Sequence, residues 1–169
     1  MTLGFTQTIN KKPNYFIQRI WRGITDLELC ERPDYELRQY KHKHAHQFLK
    51  LWDHSADNIL AKLHTIRQDP ERRWKAGNDI HFAINNRSAN RFQFAPIIPC
   101  KSVQRVFMTH LDGSFEVTID NNFLTPQEIL KLALNDGFDH VDSFIDYFTA
   151  QMKDGQLSAS IIHWTDLKY

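Results

Sequence analysis

Two hydrophobic periods alternate along the chain. Apolar residues at every second position, in runs separated by turn residues, predict strands that have one buried and one solvent-facing side. Seven stretches are predicted as strands: 3–9, 63–67, 79–84, 91–97, 101–110, 114–119 and 157–164. Asp112 and Gly113 separate two of these strands and form a two-residue hairpin signal.

Helical spacing is found near the start of the chain. The apolar positions 16, 17, 20 and 21 share one face of a predicted helix, which we expect Asn14 to cap and Gly23 to end. A second, short helix with Ser55 at its cap is expected to lead into Lys62 and the following strand.

The period becomes helical again after residue 124. Residues 125–128 form a capping box with proline at the first helical position. Gly137 is expected to close this helix, with Phe138 making the apolar contact that accompanies such a stop. The last helix is expected to begin at Asp139 and to end by Gly155.

The order of these elements predicts an α+β fold. Strands outnumber helices, which favours a small mixed β-barrel or a strongly curled sheet with flanking helices. Residues 24–54 differ from the rest, because they are polar and rich in histidine and charge; they predict a partly helical insertion. The whole chain, 1–169, is expected to form one domain around that insertion, since 41% hydrophobic residues suit a single core.

The charge and cysteine content of the chain restrict the kinds of function and environment that we expect for the protein. The chain has 21 basic and 20 acidic residues, so a nucleic-acid site would have to be a local patch. Cys30 and Cys100 have no partner at metal-binding spacing, which fits a reducing compartment. No stretch resembles a signal peptide or reaches the length of a membrane span, so we expect a soluble, cytoplasmic protein without membrane contact.

The stretch 61–67, AKLHTIR, is the first candidate site. Thr65 and Arg67 point to the same face of a strand, and Lys62 lies at the junction before it. A desolvated lysine could act as the base for a threonine nucleophile, and Arg67 could hold a phosphate or carbonyl oxygen. The alternative is that Lys62 and Arg67 are solvated charges at strand ends.

Two further clusters carry candidate chemistry. In RRWK, 72–75, basic residues such as Arg73 surround Trp74, which suits a nucleic-acid strand; alternatively, Trp74 caps the core while its neighbours are solvated.

In KHKHAHQ, 41–47, His42 and His46 share a helical face and His44 points away. Only Asp53 or His54 could supply a third ligand, so no structural metal is predicted.

These residues, in this order, resemble the ASCH domain of the PUA-like superfamily. Its signature G-x-K-x-x-T-x-R is matched by Lys62, Thr65 and Arg67, with Ala61 at the glycine position and Gly77 in a turn before a strand. The stretch from 124 to 148 and the final strand are similar to the C-terminal part of phage and prophage ASCH-like proteins. The resemblance covers the chain outside 24–54.

The resemblance implies a barrel whose mouth holds the Lys/Thr/Arg group. It implies binding of RNA or of a nucleotide-like ligand by Lys62, Thr65 and Arg67, with Arg73 and Trp74 at the rim and no cofactor. An alternative from the same family is an amidohydrolase acting on N4-acylated cytidine-type nucleosides, with Thr65 as nucleophile and Lys62 as base. The family's glutamate has no counterpart before the capping box, where Asp120 is the only carboxylate. A third possibility is a phage-type interaction protein that acts through residues 24–54.

Overall fold

The computed structural model describes residues 1–52 and 59–169, and it confirms the mixed α+β class. The helices of the described residues are α1 (Phe16–Asp26), α2 (Pro33–Phe48), α3 (Pro126–Asn135) and α4 (Val141–Thr149). The strands are β1 (Thr2–Phe5), β2 (Thr8–Ile9), β3 (Lys12–Pro13), β4 (His64–Arg67), β5 (Asp79–Ile84), β6 (Phe92–Gln93), β7 (Ile98–Pro99), β8 (Ser102–Leu111), β9 (Ser114–Ile119), β10 (Asn122–Phe123) and β11 (Gln156–His163). None of these helices has the length and apolar content needed to cross a bilayer.

The described chain divides into two compact units. Unit one contains Met1–Lys62 and Asn78–Pro99, and unit two contains Leu63–Gly77 and Cys100–Tyr169. The expectation of one domain over the whole chain stays a prediction. Cys30 belongs to unit one and Cys100 to unit two, and both are free thiols.

Unit one is built on a mixed sheet. β1 pairs in parallel with β5, and β5 pairs in antiparallel with both β6 and β7. The rings of Phe5, Phe82 and Phe94 pack together with centroids about 6 Å apart, and all three are buried. The predicted strands 3–9 and 91–97 are wrong in extent, since the first is divided between β1 and β2 by irregular backbone and the second contains only the two residues of β6.

Helix α1 covers this core, and it is longer than the sequence predicts. The expected stop at Gly23 is wrong, because Gly23 lies inside the helix and is itself buried. The apolar face extends to Ile24, which is fully buried, and this burial outweighs the preference of glycine for helix ends. Asn14 accepts a hydrogen bond from the Phe16 N–H at 3.0 Å but lies one position before the N-cap, Tyr15.

Helix α2 lies in the stretch predicted as partly helical. None of its sixteen residues is buried. It is attached through ring contacts, such as Trp21 with Tyr40 at 5.8 Å and His44 with Phe92 at 5.5 Å. The short helix expected to begin at Ser55 falls largely outside the described residues, and residues 59–63 have no helical or strand structure.

Unit two is built on an antiparallel five-stranded sheet in the order β10-β9-β8-β11-β4. Asp112 and Gly113 both have positive φ, 49° and 77°, as a tight hairpin between β8 and β9 requires, so the predicted hairpin is confirmed. β10 and β4 are the two edges, so the hydrogen bonds of the described strands leave this sheet open. The expected closure into a barrel is not found in either unit's described sheets.

Of the C-terminal helices of unit two, α3 begins and ends close to the predicted positions and α4 ends earlier than predicted. Thr125 Oγ1 accepts from the Glu128 N–H and Glu128 Oε2 accepts from the Thr125 N–H, which confirms the capping box. Gly137, at φ 88°, and Phe138 donate back to Leu134 and Ala133, so the helix ends as expected. Helix α4 has His140 rather than Asp139 at its N-cap and ends at Thr149, well before Gly155.

Candidate nucleic-acid interface

The motif strand β4 forms one edge of the sheet of unit two. Thr65 pairs with Ile162 and Arg67 pairs with Ser160 on β11. Thr65 and Arg67 therefore share one face, as the sequence predicts, while His64 and Ile66 share the other. Thr65 is buried and Arg67 is half-buried. Arg67 is thus the member of the motif that reaches solvent.

Lys62 lies in unit one and is nearly inaccessible to solvent. Its side chain is 1% exposed, and Nζ lies 4.5 Å from the centroid of the Phe16 ring, a cation–π distance. Its backbone N–H donates to the Arg19 carbonyl at 3.0 Å. Since Lys62 and Thr65 belong to different compact units, their action as a pair stays a prediction.

In the RRWK stretch the structure agrees with the alternative interpretation, in which Trp74 is buried and its neighbours are solvated. Trp74 is 8% exposed, and its backbone N–H donates to Asp69 Oδ2 at 2.9 Å. Arg73 is exposed, with Nε 3.6 Å from Glu71 and 3.8 Å from Asp69. Trp74 therefore stabilises the loop from inside, and its ring does not offer an exposed surface on which a base could stack.

Among the described residues, the carboxylate hydrogen-bonded to the motif strand is Asp136 and not Asp120. Asp120 accepts hydrogen bonds from the Arg105 N–H at 2.8 Å and from Gln104 Nε2 at 3.1 Å, at the end of β8. Asp136 is buried, and its Oδ1 accepts from the N–H of Ile66, the residue after Thr65, at 3.3 Å. Asp136 is the C-cap residue of α3, and its contact with β4 joins positions 70 residues apart in the chain.

Two buried histidines occupy the core side of the same strands. His64 and His163 are register partners, and their rings stack with centroids 5.4 Å apart and an interplanar angle of 10°. Tyr169 lies against both rings and accepts a hydrogen bond from Asn135 Nδ2 at 2.9 Å. Burial lowers the pKa of His163 to about 4 and raises that of Tyr169 above its usual range. The cluster keeps His163 neutral at physiological pH, and both histidine side chains are closed to solvent.

The opposite face of the sheet carries arginine and phenylalanine side chains in two adjacent rows. In the first row Ser160 stands between Arg67 and Arg105, its register partners on β4 and β8. In the second row Thr118 stands between Phe107 and Phe123, its partners on β8 and β10. Paired residues of an antiparallel sheet point to the same side, so all these side chains share one face.

The two phenylalanines are unusually accessible. Phe107 is 41% and Phe123 63% exposed, and Arg105 is exposed beside them. Two strand spacings separate the rings, which places their Cα atoms about 10 Å apart. Toward β4 the same face becomes buried at Thr65 and Ile162. The accessible part of the face is therefore an aromatic surface over β8, β9 and β10, with Arg105 on one side of the phenylalanine row and the exposed Glu116 on the other.

Sequence reasoning missed Arg105, Phe107 and Phe123. One local signal was available for two of them, because Arg105 and Phe107 have the same parity in a strand, and a charged residue marks the solvent side. No such signal exists for Phe123, since its place beside Thr118 depends on the pairing of β10 with β9.

The histidine stretch lies in unit one. His44 packs against the rings of Phe48, Trp52 and Phe92, whereas His42 and His46 are exposed, as the helical spacing predicts. Within residues 1–52 and 59–169, no three His, Cys, Asp or Glu side chains group as metal ligands would. Asp53 and His54, named as possible third ligands, lie outside the described residues.

Searches of protein-family models, of curated proteins and of solved structures find no match to this chain.

Proposed function

We propose that this chain binds single-stranded RNA, or a nucleotide-like part of it, on the open face of the sheet of unit two. The observation that carries the proposal is the row of exposed Phe107 and Phe123 beside Arg105 and Arg67. Every nucleic-acid base has a flat face that stacks on an aromatic ring, and arginines attract the phosphates. Open sheets with exposed aromatic rings are a recurrent means of holding unpaired RNA bases.

The spacing of the rings favours a single strand over a duplex. Bases inside a duplex are stacked on one another and cannot lie flat on a protein ring. Two rings whose Cα atoms lie about 10 Å apart can accept two unstacked bases of one strand, with phosphates between them. Arg105 lies beside this surface and Arg67 lies two strands away in the same row, and both can pair with those phosphates.

The resemblance to the ASCH domain supports the same proposal, because RNA binding is thought to occur in that family. Within the proposal the chain is a distant PUA-like protein of the cytoplasm that needs no cofactor. Arg67 retains its predicted role as a ligand-binding residue and Arg73 is exposed enough to take part. Trp74 contributes through packing, given its burial, and Lys62 is buried within unit one.

The test is the affinity of a short fluorescein-labelled single-stranded RNA, measured by anisotropy at low salt. Phe107→Ala combined with Phe123→Ala should weaken binding by roughly tenfold or more, since each stacked base contributes about 1–3 kcal/mol. Tyr35→Ala is the matched control, because Tyr35 is 46% exposed but lies on α2 of unit one.

Two outcomes would remove the proposal. Either wild-type protein shows no RNA binding at low salt, or the double variant binds as tightly as wild type while remaining folded. Stronger binding to a duplex than to the single strand would exclude the stacking surface in particular.

The amidohydrolase alternative is supported by one contact, that of buried Asp136 with the backbone after Thr65. A threonine nucleophile requires its hydroxyl, so Thr65→Ser should keep turnover of an N4-acylated cytidine and Thr65→Ala should abolish it. Absence of turnover by the wild-type protein would exclude the alternative and leave the binding proposal intact.

A further inference from the structure

Unit one contains a cleft between α2 and β6. Its volume is about 540 Å³, within the range of small-molecule sites. Helix α2 contributes His42, Lys43, His46 and Gln47, and β6 contributes Phe92 and Gln93.

The cleft is lined by groups that carry or can acquire positive charge. His42 and His46 are four residues apart and exposed on one helical face, with Lys43 beside them. The Lys43 ammonium is held 4.8 Å above the ring of Tyr40, which fixes its position at the cleft. None of the described residues that line the cleft is acidic. The cleft therefore favours an anion.

The amide groups of the cleft are already engaged and give it a fixed wall. Gln47 Nε2 donates to the carbonyl of Arg91 at 3.3 Å, and Gln93 Nε2 donates to that of Ala95 at 3.1 Å. Gln93 Oε1 lies 3.3 Å from His81 Nδ1 on β5. The groups that remain for a ligand are the ring nitrogens of the two exposed histidines and the ammonium of the lysine.

Stabilisation of the helix is the competing explanation for these charges. Cations in the last turn of a helix interact favourably with its dipole, and this accounts for His46. It does not account for His42 and Lys43, which precede the last turn of a helix that ends at Phe48. Nor does core packing account for them, because α2 contains no buried residue.

We propose that this cleft binds a phosphate group. A phosphate presents three strong acceptor oxygens and nearly two negative charges, which match the ammonium of one lysine and the ring N–H donors of two histidines. Among the charged and titratable groups near the cleft, Lys43 and Tyr40 line it, Glu36 acts electrostatically on Tyr40, and His81 on β5 contacts Gln93. Of these groups only the Glu36 carboxylate would repel a bound anion, and it lies one helical turn before Tyr40.

Inorganic sulfate is the probe, because it is a tetrahedral dianion whose own charge does not change near neutral pH. Binding is followed by NMR of the histidine ring signals. Wild-type protein should bind sulfate, because the Lys43 ammonium attracts the dianion and the ring N–H groups of the histidines donate to its oxygens. His42→Ala with His46→Ala, and separately Lys43→Gln, should each weaken sulfate binding several-fold.

Lys41→Gln is the matched control, since it makes the same charge change on the same helix outside the cleft lining. It should leave sulfate affinity within about twofold of wild type. Equal losses in Lys41→Gln and Lys43→Gln, or histidine signals that do not move with sulfate, would overturn the proposal.

The phosphate could come from a free phosphorylated small molecule or from the backbone of a nucleic acid. A nucleoside monophosphate and a short single-stranded RNA, each added alone, separate these sources. If the monophosphate alone shifts the signals of His42 and His46, the ligand is a free phosphate ester; if RNA also shifts them, the site accepts a phosphodiester. Neither result depends on Phe107 and Phe123, so the sheet-face proposal can fail independently of this one.

Discussion

At the scale of single residues, His163 has the clearest electrostatic consequence. Its ring is buried against His64 and Tyr169, and neither ring nitrogen has a hydrogen-bond partner among the described residues. Burial is the main reason that its pKa falls to about 4, and the charge of Lys168 acts in the same direction, whereas Asp120 opposes it. The folded protein therefore holds His163 in its neutral form.

This burial predicts acid-dependent stability. Between about pH 6.5 and pH 4 the unfolded chain binds a proton at His163 that the folded chain does not, so stability falls as pH is lowered through that window. The stabilisation that comes from the lowered pKa of His163 is fully present above about pH 6.5. Its loss at low pH reduces the free energy of unfolding by roughly 3 kcal/mol. Urea denaturation at a series of pH values measures it.

His163→Phe should keep the ring stacking. Over this pH window it should reduce the slope of the free energy of unfolding against pH by the amount that the binding of about one proton contributes. An unchanged slope in that variant would show that His163 does not titrate as described.

At the scale of elements, two glycine turns differ in what surrounds them. Gly113 and Gly155 both have positive φ, 77° and 71°, and precede strands of the same sheet. A Cβ added at Gly113 would meet no atom within 4 Å, whereas one added at Gly155 would lie 2.6 Å from Leu111 Cδ2 and 3.0 Å from the carbonyl of His110. Gly155 thus combines a conformational and a steric requirement.

Gly113→Ala is therefore expected to cost about 1 kcal/mol of stability, from the left-handed backbone alone. Gly155→Ala should cost about 1–3 kcal/mol more, because β8 or the side chain of Leu111 must shift. Chemical denaturation of both variants measures the difference. Equal losses would mean that the contact between the 155 turn and β8 is looser than described.

At the scale of the whole molecule, the charges nearly cancel. A net charge of +1 provides little long-range attraction for a polyanion, so binding must depend on local contacts. RNA affinity should nevertheless fall steeply as salt is added. In a plot of the logarithm of the binding constant against the logarithm of the salt concentration, each phosphate neutralised on a single strand should contribute about −0.7 to the slope.

Arg67→Gln and Arg105→Gln should each reduce that slope by roughly one phosphate contact. Arg22→Gln is the control, because Arg22 is an exposed arginine of unit one that pairs with Asp26 at 2.7 Å. Anisotropy titrations over a range of salt give the slopes. A slope that stays the same in both sheet-face variants would place the phosphates elsewhere.

The sequence by itself determined the features that depend on neighbours along the chain. The hairpin at 112–113, the capping box at 125–128 and the stop at Gly137 follow from local hydrogen bonds and backbone preferences. The shared face of Thr65 and Arg67 follows from the two-residue period of a strand. The α+β class follows from the order in which these elements occur.

Only the tertiary structure decided which residues from distant positions come together. Gly23 stays helical because Ile24 has a core to enter, and Trp74 is buried because Asp69 holds its backbone. The row of Phe107, Thr118 and Phe123 exists through strand register, which places residues from three strands side by side on one face. Register is set by the burial of the opposite face of the sheet. Because that burial is a property of the assembled sheet, the register cannot be predicted from any short stretch of the sequence.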